Sequence, residues 1–157
     1  MKAEEKIKDL GLKLPPPPPL GGLYKPVVVI DNVAYVSGHG PLMDDGVSYI
    51  TGRVGDALNL EEGQAAARQT GLAILATVQA QLGSLDRVKR VIKSLALVNS
   101  ADDFDQQPAV INGYSELMRD VFGEDNGVGA RSAVAANVLP GGIAVEIEVI
   151  LELHPEV

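Results

Sequence analysis

Hydrophobic positions along the chain change period several times, and each change marks an element. Met1–Leu14 reads as a short amphipathic helix with Ile7 and Leu10 on one side, closed by Gly11. Val27–Ile30 and Val33–Ser37 are β-branched and aromatic runs separated by Asp31-Asn32, a two-residue hairpin turn. Ser37-Gly38-His39-Gly40-Pro41 breaks the second run, and a polar stretch continues to Asn59. Asn59 caps a predicted helix from about Leu60, with Glu61 and Glu62 favoured in its first turn by the helix dipole. Leu72, Leu75, Val78 and Leu82 recur at spacings of three and four, and Gly83 ends the stripe. Val88–Val98 is a long strand. Asp102 or Asp103 is the expected cap of a second helix, whose stripe is Val110, Ile111, Tyr114, Leu117, Met118, Val121 and Phe122. Gly123–Gly129 reads as a loop. Arg131–Val138 and Ala144–Leu153 then form two strands, expected to pair as a hairpin through Leu139-Pro140-Gly141-Gly142.

This order predicts an α+β sandwich with helices on one face of the sheet. Residues 1–21 form a helix and a stiff spacer, because Pro15–Pro19 favours polyproline II, and residues 22–157 form one domain. A ligand for an SH3-type domain is the less economical use of those prolines. Two helices cover only one sheet face, yet Val27–Ile30, Val33–Val36 and Leu95–Val98 are apolar on both. The second face is expected to bury against another copy of the chain.

Composition removes whole classes of chemistry. There is no cysteine, hence no thiol nucleophile, disulfide or iron–sulfur cluster, and a reducing compartment fits. With His39 and His154 as the only histidines, a histidine-rich metal site is excluded. The net charge of −8 disfavours nucleic acid as a partner. No apolar run approaches the roughly 20 residues of a membrane helix, and the charged first residues lack the apolar core of a signal peptide. A soluble cytoplasmic domain is expected.

The last strand alternates Val145, Ile147, Val149, Leu151 and Leu153 with Glu146, Glu148, Ile150 and Glu152, so its glutamates share one face. They are either a solvated face or the source of a partly desolvated general base. Arg131, among small residues, can offer its fork of donors to a substrate carboxylate or to a strand glutamate. The expected hairpin would set it on a strand adjacent to them. His39 reads as a surface turn residue, and Lys89, Arg90 and Lys93 as a cluster neutralising acidic neighbours.

Gly22-Leu23-Tyr24, Val36-Ser37-Gly38, Val110-Ile111-Asn112-Gly113-Tyr114, Ala130-Arg131-Ser132 and Val145-Glu146-Ile147-Glu148 together resemble, in order and spacing, the Rid family (reactive intermediate deaminase, YjgF-like, endoribonuclease L-PSP-like) over about residues 20–153. Its length and extended helices resemble a longer subgroup. The resemblance implies a chorismate-mutase-like fold, a homotrimer with a barrel-like core, and clefts between subunits. It implies that Arg131 binds a substrate carboxylate and that Glu146 positions water. Tyr24, Ser37, Gly38 and Asn112 would line the cleft. The reaction would be hydrolysis of a 2-enamine or 2-imine acid, such as 2-aminoacrylate, to a 2-keto acid and ammonia, without a cofactor. The chain departs from the family where His39 replaces a glutamine, Gly129 a proline and Ala133 a frequent cysteine. A non-catalytic trimer that captures small carboxylate metabolites is the alternative, and ribonuclease activity a third reading.

Overall fold

Asp31, at φ 53°, turns the chain between β1 (Val27–Ile30) and β2 (Val33–His39), and Ile30 pairs with Val33. The computed structural model describes residues 1–156. The remaining strands are β3 (Val88–Asn99), β4 (Ala130–Ala136) and β5 (Val145–Leu153). They form a five-stranded sheet in the order β1-β2-β5-β3-β4. Only β3 and β4 run parallel.

The helices are α1 (Ala3–Asp9), α2 (Leu60–Leu82), α3 (Gln107–Phe122) and α4 (Glu124–Gly127). Asn59 caps α2 by accepting from the Glu62 N–H at 2.8 Å, while the Glu62 carboxylate accepts from the Asn59 N–H at 3.1 Å. That reciprocal box satisfies two amides the helix leaves free. Gly83, at φ 84°, closes the helix in the left-handed region. Residues 70–78 of α2 are all buried, because the helix packs on β2 and β5 of the sheet and alongside α3, which packs on β3 and β4. Of the expected α3 stripe, Val110, Ile111, Tyr114, Leu117, Met118 and Val121 are buried, and Phe122 is half-buried against the core.

The N-terminal helix joins this core through Ala3 and Ile7. The Glu4 carboxylate fixes it further, accepting from the Leu85 N–H at 2.8 Å and from Gln79 Nε2 at 3.0 Å. The following proline run lies along the body, with Pro15 buried and Pro16 against Gly46.

Three expectations need correction. The second long helix starts at Gln107, with Gln106 at its cap, not at Asp102 or Asp103. A turn closed from the Phe104 N–H to the Ala101 carbonyl (3.0 Å) comes first, and Asp102 pairs with Arg53 at 3.2 Å. The 123–129 segment is not all loop, since it contains α4. Most important, β4 and β5 are not a hairpin. β3 lies between them, parallel to β4 and antiparallel to β5. The strand–helix–strand passage β3–α3–β4 is the crossover that a parallel pair requires. The link after β4 then passes over the end of β3, where the Asn99 N–H donates to the Ala144 carbonyl at 2.8 Å and Asn99 Nδ2 to the Ile143 carbonyl at 3.2 Å.

All the long helices cover one sheet face. The other face carries Tyr35, Leu95, Leu97, Val134, Ile150 and the β5 glutamates, with Tyr35 and Val134 each 46% exposed. It holds a hollow of about 390 Å³ bordered by Tyr35, Lys93, Leu95, Glu148 and Ile150.

Candidate functional site

Strand register sorts the candidate residues onto two faces. Glu146 stands beside Leu97 and Glu148 beside Leu95, so both carboxylates occupy the face without helices. Gly21, Tyr24, Ser37, Gly38, Pro140, Glu146 and Glu148 border a cleft of about 420 Å³ at that side of the sheet. Tyr24, Ser37, Gly38 and Glu146 are therefore brought together.

Each is held by a specific contact. The Ser37 hydroxyl donates to the Lys25 carbonyl at 2.6 Å, and the Gly21 N–H donates to the Tyr24 hydroxyl at 3.2 Å. Gly38 makes room for the glutamate. A Cβ at residue 38 would stand 3.1 Å from Glu146 Cδ and 3.2 Å from its Oε2, closer than ordinary contact. Glu146 is half-buried, and desolvation first, with the nearby Glu148 charge second, pushes its carboxyl above the usual carboxylate range. A carboxylate destabilised in this way is the stronger proton acceptor.

Arg131 lies elsewhere. It pairs with Ser94, whose hydroxyl meets Tyr114 of α3 at 2.8 Å, so Arg131 projects to the helix-covered side. There its guanidinium donates to Ser115 Oγ at 3.0 Å, Asn112 Oδ1 at 3.0 Å and the Pro108 carbonyl at 3.1 Å. Residues 108, 112 and 115, spaced by four and three, share one face of α3. Every partner is neutral, and among the described residues no carboxylate lies within ion-pair distance of Arg131. Its charge is thus held in place without being compensated. Asn112 belongs with Arg131, not with the Tyr24–Glu146 cleft.

The chain consequently carries two groups of polar residues on opposite faces: Tyr24, Ser37, Gly38 and Glu146 on one, Arg131 and Asn112 at the β4 edge on the other. The expected adjacency of Arg131 and a β5 glutamate within one chain is corrected by the intervening β3.

His39 is no surface turn residue. It belongs to β2 and is only 6% exposed, with Nδ1 2.6 Å from the Ser37 carbonyl and Nε2 2.7 Å from Thr77 Oγ1. Burial lowers its pKa below the usual histidine value, against a smaller opposite effect of the Ser37 carbonyl. Thr77, in the buried middle of α2, and Ser115, an ordinary α3 serine, carry no local pattern that marks them. The basic cluster does neutralise an acid in part: Lys89 and Arg90 pair with Glu152 at 3.1 and 3.3 Å, whereas Lys93 donates to Ser132 Oγ at 2.9 Å. Among the described residues, no group of three or more histidine or acidic side chains could hold a metal ion, and no helix is long and apolar enough to cross a membrane.

Comparison with known proteins gives these arrangements a lineage. The family model described as endoribonuclease L-PSP matches residues 17–153. Protein TCP17 of Trypanosoma cruzi is 43% identical over 94% of this chain and 92% of its own length. The crystal structure of Atu1372, a protein of unknown function from Agrobacterium tumefaciens, is 39% identical, covers 96% of this chain and 91% of its own, and superposes with a TM-score of 0.85. A candidate endoribonuclease from Shewanella oneidensis, 25% identical, covers 98% of this chain and all of its own with a TM-score of 0.92. With the family model spanning nearly the whole domain, this chain belongs to the endoribonuclease L-PSP (Rid, YjgF-like) family.

Proposed function

We propose that the protein hydrolyses reactive 2-enamine or 2-imine acids to 2-keto acids and ammonia, at clefts completed between copies of the chain in a homotrimer. The observation that carries this reading is the division of the polar residues: an uncompensated guanidinium at one sheet edge and a desolvated carboxylate on the opposite face. Neither half alone can both hold a carboxylate and activate water. A neighbouring copy, seated on the helix-free face, would supply the missing half and also bury Tyr35, Leu95 and Val134.

The chemistry asks little of the protein. Arg131 binds the substrate carboxylate, its orientation fixed by Asn112, Ser115 and the Pro108 carbonyl. Glu146 takes a proton from water as the water oxygen bonds to the C=N carbon. On the protonated imine this gives a neutral carbinolamine. The proton returned by Glu146 to nitrogen makes ammonia the leaving group, and as the C–N bond breaks the hydroxyl proton passes to the Glu146 carboxylate and the keto C=O forms. Acid–base assistance of this kind contributes roughly 10²–10⁴-fold, which suffices for an already labile imine. Tyr24, Ser37 and Gly38 would line the wall beside the reacting carbon.

The test couples the protein to a dehydratase that generates 2-aminoacrylate and follows release of pyruvate and ammonia. The wild type should accelerate release, and Arg131→Ala should lose about 10- to 100-fold in kcat/KM, the worth of charge-assisted hydrogen bonds. Equal rates with wild type, Arg131→Ala and no protein would refute the reaction. Binding of pyruvate without any acceleration would favour a carboxylate-capturing trimer, a reading that the neutral anchoring of Arg131 also supports. The family's ribonuclease label finds little support in a chain of net charge −8.

A further inference from the structure

β2 carries one residue more than its partner: Val36 pairs with Val149, but His39 with Ile147, so Ser37 and Gly38 together oppose Glu148. Such a bulge reverses the alternation of side chains beyond it. Val36 and His39, three residues apart, therefore both point toward the helices and are buried, whereas an unbroken strand would have sent His39 to the other face. The bulge buries an imidazole beneath the strand that borders Glu146.

The tautomer follows from the partners. A carbonyl only accepts, so His39 Nδ1 carries the proton and donates to the Ser37 oxygen at 2.6 Å. Nε2 is then a lone pair, and the Thr77 hydroxyl donates to it at 2.7 Å. The chain of contacts runs from α2 through Thr77 and His39 to the Ser37 carbonyl, and so fixes the peptide that leads into Gly38. The Glu146 carboxylate in turn fills the space that a Cβ on Gly38 would enter.

We infer that Thr77 and His39 are a positioning pair for Glu146: they lock the Ser37–Gly38 bulge, and through it the place of the carboxylate in the cleft. This rests on the reading of Glu146 as the proton acceptor. Neither side chain touches substrate. Thr77→Val keeps the shape but removes the donor, leaving Nε2 buried and unsatisfied, so the imidazole must turn or admit water. The bulge then relaxes and Glu146 moves toward solvent.

The experiment titrates the Glu146 carboxyl by carbon-13 NMR in wild type, Thr77→Val, Thr77→Ser and His39→Gln, and measures kcat and KM on the imine substrate. In Thr77→Val the Glu146 midpoint should fall toward that of an ordinary glutamate, and kcat should drop about 10- to 100-fold with KM little changed. Thr77→Ser, which restores the donor, should recover both. His39→Gln, whose amide can donate to Ser37 and accept from Thr77, should come between. A Thr77→Val protein that is less stable yet keeps the wild-type Glu146 midpoint and kcat would overturn the inference and leave the pair a core contact. If the wild type itself turns over no imine, the deaminase reading fails, and the Glu146 midpoint alone still decides whether the pair positions it.

Discussion

Glu146 and Glu148 stand two residues apart on β5 and both face away from the helices, so the charge of Glu148 adds to the desolvation that raises the Glu146 pKa. Desolvation is the larger cause, and removing the neighbour reverses only part of the rise. Glu148→Gln should therefore move the acid limb of the kcat/KM profile to lower pH without abolishing activity, as a pH series on the coupled assay would read. An unmoved limb would show that Glu146 is not the titrating base. His39 gives the opposite kind of linkage. Its folded pKa lies below 6.5, so below that pH the unfolded chain binds a proton that the folded chain refuses. The stability this contributes is whole above 6.5 and is lost as the pH falls from there through the lowered folded value. Urea titrations should show wild type losing stability over that window more steeply than His39→Gln, and parallel curves would contradict the buried neutral imidazole.

Among the elements, α3 shows how a run of motif residues divides its labour. In Asn112-Gly113-Tyr114, the first anchors Arg131, the third is buried against Ser94 with its phenol pushed up to a pKa of about 12, and the second sets the distance between helices. A Cβ on Gly113 would stand 2.1 Å from the Gln64 carbonyl oxygen of α2, a backbone atom that cannot step aside alone. Gly113→Ala should cost at least the roughly 1–3 kcal/mol typical of an overpacked contact, read as a lower urea midpoint. A wild-type midpoint would mean the helices separate freely. Period made both long helices legible and capping one of them: the Asn59 cap and both stripes are local signals that lie where the sequence puts them, whereas the cap expected at Asp102 or Asp103 gives way to Gln106. Pairing of β4 and β5 was not legible, because register is non-local and Pro-Gly-Gly imitates a hairpin turn. The sign of the true pairing was present in the strand–helix–strand order of β3, α3 and β4. The bulge at Ser37–Gly38 escaped for a similar reason. Gly38 and Gly40 on either side of His39 read as a strand end, and nothing nearby announces that Thr77 of α2 waits for the imidazole.

At the scale of the whole molecule, Tyr24, Ser37, Gly38 and Glu146 border one cleft, while Arg131 and Asn112 stand together on the other side of the sheet. Motif order along the sequence cannot reveal that division, since it depends on which strand separates β4 from β5. If each cleft takes its guanidinium from one copy and its carboxylate from the next, then two impaired variants contain between them a complete site. Co-expression of Arg131→Ala with Glu146→Gln provides the most direct measurement. Random assembly would leave about a quarter of the clefts with both native residues, and the mixed protein should recover imine hydrolysis to about a quarter of the wild-type rate, whereas each variant alone keeps about a tenth of that rate or less. Light scattering of the mixture should report a trimer. No recovery in a mixed trimer proven to contain both variants would contradict a site shared between subunits.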